Sequence, residues 1–334
     1  MSADLSQKLV NLTKLDLQYD ACGEVASGTT PADLTLYGSF VFVGLPTENI
    51  LPDGVLDGKP RLDLPLGEGK FDMTMGVKTA RAMKDLPKAD WVAGCTEAAA
   101  PGKPPLIFRQ LLDLESSTYT YILADAYTRD AIVIDPVDTM AERDAEIITE
   151  MGLNLLFALN THVHADHVNG ASKLRALFPQ MRSVISRASG AQADVAVAPG
   201  DSVEFAGRSV VVRATPGHTD GCCSFVLDDR SMVFTGDALL IRGCGRTDFQ
   251  QGNSKSLYES VHTQLFTLPN DTIVYPAHDY KGRGNSTIGE ERMFNPRLTK
   301  DIEEFQRIMA GLNLAYPKRI DAAVPANMKC GLYD

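Results

Sequence analysis

The sequence is poor in histidine, tryptophan and basic residues, and it contains no long hydrophobic run. Its 334 residues include six histidines, one tryptophan, and 32 lysines and arginines against 43 aspartates and glutamates. The net charge of −11 argues against nucleic acid as the main partner, because phosphate binding requires a basic surface. No apolar run reaches the roughly 18 to 20 residues that a membrane span requires. The composition therefore predicts a soluble protein, and a hydrophobic content of 44% is ample for a packed core.

The spacing of the cysteines and the N-terminal residues indicate in which cellular compartment the protein works. No CxxC pair is present, and the spacing of the six cysteines does not suggest disulfide pairs. They are Cys22, Cys95, Cys222, Cys223, Cys244 and Cys330. This pattern predicts reduced thiols in a reducing intracellular compartment. Residues 1–25 lack the basic start and apolar block of an export signal. They are also acidic and contain no arginine, so no mitochondrial import signal is legible.

The first 105 residues differ from the rest of the chain in composition and in the pattern of predicted strands and helices. They contain a predicted strand at Ser39–Val43 and a predicted helix at Met75–Lys84. The segment Ala98–Pro105 is rich in Pro and Gly, which is typical of a linker. We therefore expect an N-terminal extension of unknown fold and function at residues 1–105. A second domain is expected at residues 106–334.

Regular patterns begin at Leu106. Strands are predicted at Leu106–Leu114, Thr118–Ala124, Ala131–Ile134, Leu155–Leu159, Ser183–Ser186, Ser209–Ala214, Cys222–Leu227 and Met232–Thr235. Helices are predicted at Glu142–Met151, Val168–Leu177, Lys255–Phe266 and Lys300–Leu312. This order indicates an α/β domain in which helices cover sheets.

Five of the six histidines and two aspartates occupy loop positions that follow apolar runs. They are His162, His164, Asp166, His167, His218, Asp237 and His278. An isolated histidine is most often a satisfied polar residue near the surface, but packing does not explain a cluster at strand ends. Imidazole and carboxylate are the usual protein ligands of zinc and iron. The pattern therefore predicts a metal site.

The ordered motifs resemble those of the metallo-β-lactamase superfamily. The matching residues are His162-Val163-His164-Ala165-Asp166-His167, Gly217-His218, Gly236-Asp237 and Ala277-His278. The resemblance covers roughly residues 106–334, and the first 105 residues have no counterpart in it. It implies an αβ/βα sandwich with a metal site at one edge of two facing sheets.

Three further segments are similar to the persulfide dioxygenases of the ethylmalonic encephalopathy type: Ile241–Gly252, Tyr275–Tyr280 and Pro325–Cys330. The resemblance implies an oxidoreductase of sulfide catabolism that oxidises glutathione persulfide with O2 and water to sulfite and glutathione. It also implies one iron(II) per chain, held by His162, His218 and Asp237. Two imidazoles and one carboxylate on one face of iron leave positions open for substrate and O2, whereas zinc has no redox chemistry to offer.

The same resemblance assigns roles to the other site residues. It implies that His164, Asp166, His167 and His278 stay metal-free and orient the ligands and bound water through hydrogen bonds.

For substrate binding the resemblance points to Arg246, Tyr280 and Arg297. Arginine pairs with carboxylates such as the two of glutathione, and a tyrosine hydroxyl can donate to a carboxylate or thiolate. The alternatives are a salt bridge that braces a loop for Arg246 and a contact at a helix entry for Arg297. Cys330 is expected either near the active site or as a buried structural thiol.

Two other functions fit parts of the pattern. The first is a glyoxalase II-like hydroxyacylglutathione hydrolase, in which two metals would activate a hydroxide. The second is a binding protein that keeps the fold without catalysis. Metal content separates the three: one iron per chain for the dioxygenase, two metals for the hydrolase and none for the binding protein. Relatives are often homodimers, and those from eukaryotes work in the mitochondrial matrix, so we expect a homodimer located there, or in the cytoplasm of a prokaryote.

Overall fold

The computed structural model describes residues 105–332 and five short strands nearer the N-terminus. Two compact units are present, residues 1–97 and 98–334. In the first unit Leu34–Tyr37 pairs antiparallel with Phe40–Val43, which confirms the predicted strand, and Val55–Leu56 pairs with Lys59–Pro60. A further strand spans Thr96–Glu97. The predicted helix at 75–84 and the predicted linker, except its last residue, lie outside the described residues.

The second unit contains two sheets. Within residues 105–332, the first sheet has the order β6-β5-β4-β3-β2-β1. Its strands are β1 (Leu106–Asp113), β2 (Thr118–Asp125), β3 (Asp130–Ile134), β4 (Asn154–Leu159), β5 (Arg182–Ser186) and β6 (Val195–Val197). The strands β1, β2 and β3 pair antiparallel, whereas β3 to β6 run parallel. Parallel neighbours require crossover connections, and α-helices supply those between β3 and β4 and between β4 and β5.

The second sheet has the order β7-β8-β9-β10-β11-β12. Its strands are β7 (Ser202–Phe205), β8 (Arg208–Ala214), β9 (Cys223–Leu227), β10 (Met232–Gly236), β11 (Ile273–Pro276) and β12 (Ser286–Thr287). Only β10 and β11 pair in parallel. The ends of these two strands therefore point to the same edge of the sheet.

Six α-helices lie within residues 105–332. They are α1 (Ala141–Glu150), α2 (Ala171–Leu177), α3 (Ser254–Ser260), α4 (Ile288–Phe294), α5 (Ile302–Ala310) and α6 (Ile320–Asn327). The helix α1 connects β3 to β4, and α2 connects β4 to β5. Side chains cap α3, α4 and α5 at Asn253, Thr287 and Asp301. None of the helices in residues 105–332 is long and apolar enough to cross a membrane.

Successive side chains of a strand point to opposite faces of its sheet, so neighbouring residues show what packs on each face. In β9, Phe225 joins a core cluster that contains residues of both sheets, so the two sheets face each other. The next residue, Val226, belongs to a second cluster together with Leu257 of α3 and Phe305 of α5. The helices α3 to α5 therefore cover the outer face of the second sheet. This arrangement confirms the predicted α/β sandwich.

Several elements differ from the sequence-based predictions. The helix predicted from Val168 begins only at Ala171, because residues 168–170 are held elsewhere: the Val168 carbonyl accepts from the Asp138 amide and the Gly170 amide donates to Pro136. The helix predicted at 255–266 changes to a π-helical turn after Ser260. Within residues 105–332, the sequence analysis also missed six strands and α-helices, which are β6, β7, β11, β12, α4 and α6.

Candidate metal centre

The predicted metal ligands lie on loops at the ends of strands from both sheets. The irregular segment 160–170, which we call the histidine loop, follows β4. Asp237 directly follows β10, and His278 lies two residues after β11. His218 lies in the loop between β8 and β9. The fold thus gathers residues that are more than 100 positions apart in the chain.

His162, His218 and Asp237 form a compact buried group. Each offers one ligand atom, and the three atoms lie within 4.8 Å of one another. The rings of His162 and His218 are nearly perpendicular, with centroids 5.0 Å apart, and His218 Nε2 lies 3.5 Å from Asp237 Oδ2. Asp237 Oδ1 is buried and accepts no hydrogen bond within residues 105–332. A buried carboxylate oxygen without a donor fits a cation, so these residues can hold a metal ion.

Hydrogen bonds fix which ring nitrogen of each histidine faces the metal position. His218 Nδ1 donates to the carbonyl oxygen of Arg246 at 2.7 Å, which leaves Nε2 free to bind a metal. Thr161 Oγ1 donates to Asp135 Oδ2 at 2.8 Å, so it can only accept from His162 Nδ1 at 2.9 Å. His162 also presents Nε2 as a result. Partners of this kind orient metal-binding histidines and raise their basicity.

Burial and neighbouring rings keep His162 neutral. Desolvation comes first, and the adjacent His164 and His218 add to it, so the pKa of His162 lies well below its ordinary value. A metal binds the neutral form of imidazole. His162 is therefore ready to bind a metal at neutral pH without first losing a proton.

A second group lies beside the first and contains His164, Asp166, His167 and His278. The donor atoms of the first three lie within 4.8 Å of one another. His167 Nδ1 and Asp166 Oδ2 are hydrogen-bonded at 2.9 Å. His278 Nε2 lies 3.6 Å from Asp166 Oδ2 and 3.6 Å from Asp237 Oδ1, which connects the two groups. Within residues 105–332, His164 Nδ1 and His167 Nε2 have no hydrogen-bond partner.

Charges within the second group favour the ionised carboxylate and the protonated imidazole of His278. Burial opposes both, but His278 and His167 hold the pKa of Asp166 well below its usual range. The pKa of His278 is raised because the carboxylates of Asp237 and Asp166 outweigh the effect of burial. The group can therefore orient water or a bound anion by hydrogen bonds.

Two glycines allow the close packing around the ligands. A Cβ atom at Gly245 would lie 2.6 Å from the carbonyl oxygen of Asp237 and 2.9 Å from the ring of His218. A Cβ atom at Gly236, where φ is +54°, would lie 2.6 Å from Thr161 Oγ1. Larger residues at either position would displace a ligand or its hydrogen-bond partner.

The segment 246–252 contacts both the histidine loop and the chain at Ala315. Gln250 Nε2 donates to the Val163 carbonyl of the histidine loop at 2.8 Å. The Arg246 guanidinium pairs with Asp248 at 2.7 and 2.8 Å, donates to the Ala315 carbonyl and stacks on the Phe249 ring. The Arg246 side chain thus braces this loop, which is one of the two roles expected from the sequence.

The other two predicted substrate residues lie in different settings. The Tyr280 ring stacks on His278 with centroids 5.7 Å apart, and the residue is 70% exposed. Its pKa is raised, first by desolvation of the hydroxyl and then by the carboxylates of Asp237 and Asp166. Arg297 Nη1 instead donates to the Cys244 carbonyl at 3.2 Å. Tyr280 is therefore the predicted substrate residue whose side chain is exposed and stacks on a histidine of the site.

Two polar residues of the site, Asp135 and Thr118, were missed by the sequence analysis. Asp135 follows β3 and accepts from the Thr161 amide, the Thr161 hydroxyl and His164 Nε2 at 2.7, 2.8 and 3.1 Å. Thr118 Oγ1 contacts Asp166, His167 and His278 at 3.2 to 3.4 Å. The sequence contains a signal for Asp135 but not for Thr118, because Asp135 follows an apolar run in the same way as Asp237 does.

Comparisons with known proteins agree with the site. The model of the metallo-beta-lactamase superfamily matches residues 114–278. The mitochondrial persulfide dioxygenase ETHE1 of Homo sapiens is 58% identical over 228 residues, or 68% of this chain and 90% of the relative, and that of Mus musculus is 57% identical over 237 residues, or 71% and 93%.

Structural comparison gives the same result. The crystal structure of ETHE1 from Myxococcus xanthus has a TM-score of 0.65 at 52% identity and covers 68% of this chain and 100% of that one. A hydroxyacylglutathione hydrolase of Synechococcus sp. is 38% identical over 223 residues, which is 55% of this chain and 84% of the relative. The resemblance inferred from the motifs is thereby confirmed. The chain belongs to the persulfide dioxygenase family of the metallo-β-lactamase superfamily.

Proposed function

We propose that this protein is a persulfide dioxygenase that oxidises glutathione persulfide with O2 and water to sulfite and glutathione in sulfide catabolism. The observation that carries the proposal is the identity of 57 to 58% with persulfide dioxygenases over at least 90% of their length. The hydrolases of the superfamily match at much lower identity, for example 38%.

The buried triad supports a mononuclear iron(II) centre with one iron per chain. We propose that His162, His218 and Asp237 are its ligands, because two imidazoles and one carboxylate form the facial triad of non-haem iron oxygenases. Iron(II) supplies the redox chemistry that O2 activation requires. The protein residues supply a fixed geometry, through the hydrogen bonds of His162 and His218, and a dry environment in which both ligand histidines are buried.

The second group is proposed to remain metal-free. In a metal-free group, the hydrogen bond between His167 Nδ1 and Asp166 Oδ2 joins the two side chains and supports a role in orienting water. His278 lies within 3.6 Å of a ligand oxygen of Asp237, so it can orient that carboxylate. A raised pKa lets His278 hold a proton near the position where the product anion forms.

For substrate binding we propose Tyr280, Arg246 and Arg297. The Tyr280 side chain is largely exposed and stacks on His278, so its hydroxyl can donate to the persulfide or to a glutathione carboxylate. Arg246 contacts Asp248 in this structure, and a substrate carboxylate would bind it by replacing Asp248. Arg297 supports the Cys244 carbonyl next to Gly245, and thereby the wall of the pocket beside His218.

We also propose a cellular compartment and an oligomeric state for the enzyme. The four cysteines within residues 105–332 are free thiols, and three of them are buried, which supports a reducing compartment. The names of the mammalian relatives place those proteins in mitochondria. We propose the mitochondrial matrix for a eukaryotic source and the cytoplasm otherwise. A homodimer is the proposed assembly, which sedimentation analysis of the full chain tests.

Comparison of iron-loaded and zinc-loaded protein tests the proposed chemistry. Both samples are prepared from the same metal-free protein under anaerobic conditions, and O2 uptake and sulfite are then measured with glutathione persulfide. We expect activity only with iron, because zinc offers no second oxidation state. Full activity with zinc alone would contradict the mechanism.

A further inference from the structure

The C-terminal helix contributes a buried side chain that contacts the histidine loop. Asn327 is the last residue of α6 and is 2% exposed. Its Nδ2 donates to the carbonyl oxygens of His164 and His167, both at 2.8 Å. Its Oδ1 accepts from the backbone amide and the side-chain amide of Asn169 at 2.8 and 3.0 Å. A side-chain amide offers two donor hydrogens and two acceptor positions, and all four are used here.

These four bonds span the histidine loop from His164 to Asn169. The loop is neither helix nor strand, so its backbone groups depend on such partners for a fixed conformation. His162, two residues before the first of these contacts, is a proposed metal ligand. The amide of Asn327 therefore holds the segment that carries one ligand and three neighbouring polar residues of the centre.

The segment around Asn327 is itself anchored next to the loop. Ala323 and Ala326 of α6 pack against Val168 in one buried cluster. Ser172 Oγ donates to the Gly331 carbonyl at 2.8 Å. A Cβ atom at Gly331 would lie 2.3 Å from the Asn169 carbonyl oxygen, so the chain after α6 approaches the loop as closely as its backbone permits. The position of Asn327 is thus determined by packing on both of its sides.

We infer that Asn327 is a positioning residue for the metal centre, acting through the backbone of the histidine loop. Its role is to set the direction of His162 and the placement of His164 and His167. It also makes the docking of α6 a condition for full metal affinity. The inference rests on the ligand assignment of the proposed function.

Metal titration of the full-length protein tests this inference. The key variant is Asn327→Asp, which keeps the shape of the side chain but replaces the donor Nδ2 by an oxygen that faces two carbonyl oxygens. Metal-free wild type and variant are titrated anaerobically with Fe(II) in the presence of a competing chelator. Loss of a partner that orients metal ligands typically weakens metal binding 10- to 100-fold, and we expect a loss of about tenfold or more. Co(II), used as a spectroscopic probe, should show a changed ligand-field absorption.

A matched control separates positioning from general destabilisation. Val203→Ala removes buried methyl groups from β7, the edge strand of the second sheet, and should lower the unfolding temperature without changing the Fe(II) affinity or the Co(II) spectrum. Hydrogen exchange should increase at the amides of residues 162–170 in Asn327→Asp and stay at the wild-type level in Val203→Ala.

Further outcomes decide the inference. An Asn327→Asp protein that folds and binds Fe(II) with wild-type affinity and an unchanged Co(II) spectrum overturns it. If that variant does not fold, Asn327→Ala decides, because it removes all four bonds without placing an oxygen against the two carbonyl groups: an affinity loss of about tenfold supports the inference, and unchanged affinity overturns it. A wild type that binds neither metal contradicts the ligand assignment instead.

Discussion

The hydroxyl of Thr161 connects the buried carboxylate of Asp135 to His162, a proposed metal ligand. Its removal should weaken metal binding by a predictable factor. Thr161→Val keeps the shape of the side chain but leaves His162 Nδ1 without its acceptor at 2.9 Å and Asp135 without one of its donors. Removal of such a partner typically weakens metal binding 10- to 100-fold. This factor corresponds to about 1.4 to 2.8 kcal/mol of binding free energy.

Anaerobic competition titration of the metal-free variant with Fe(II) measures this loss. The matched control is Thr120→Val, because Thr120 is equally buried but donates to the backbone carbonyl of Asp135 rather than to its carboxylate. We expect the control to lose about 1 kcal/mol of stability and no Fe(II) affinity. Wild-type affinity in a folded Thr161→Val protein would refute the reasoning that the Asp135 to Thr161 chain orients His162.

Three further predictions follow from the geometry. Gly245→Ala places a Cβ atom against the ring of His218 and should lower Fe(II) affinity at least about tenfold, whereas Gly243→Ala, with its nearest neighbour at 3.9 Å, should retain it. The pKa of Asp144 is raised to about 6 by burial, so the stability it contributes is present below about pH 4 and lost as the pH rises through 6. Urea unfolding should show wild type losing up to about 3 kcal/mol relative to Asp144→Asn between pH 4 and 7. Tyr280→Phe retains the ring on His278 but loses the hydroxyl, and should raise KM about fivefold, the equivalent of about 1 kcal/mol.

Each of these predictions has a result that would contradict it. Equal Fe(II) affinities of the two glycine variants would show that the ring of His218 tolerates displacement. A pH-independent difference in stability between wild type and Asp144→Asn would mean that the carboxyl group titrates normally. An unchanged KM in steady-state kinetics with Tyr280→Phe would remove the hydroxyl from the substrate site.

The clustering of the candidate metal ligands could be predicted from the sequence, because the relevant signals are local. His162, Asp237 and His278 each follow an apolar run, and strand ends are where a sheet displays polar side chains. The structure brings His162, His218 and Asp237 within 4.8 Å of one another. The long strands of the core were predicted for the same reason, since their apolar residues stand out against the turns between them.

Residues whose role depends on distant neighbours could not be predicted in this way. Thr161 matters because Asp135, 26 positions earlier, lies next to it in the adjacent strand end. Asn327 contacts the histidine loop across about 160 positions, and its helix contains Pro325, which a helical pattern normally excludes. The strands β6 and β12 have only three and two residues, which is too short for a periodic signal.

The central claim is tested most directly by giving the iron-loaded protein two substrates while its metal content is measured on the same sample. One reaction contains glutathione persulfide and O2, and the other contains a glutathione thioester. We predict O2 uptake with formation of sulfite at one iron per chain, and no hydrolysis of the thioester. Hydrolysis of the thioester with two bound metals and no O2 uptake would contradict the account, and would make His164, Asp166, His167 and His278 ligands of a second metal.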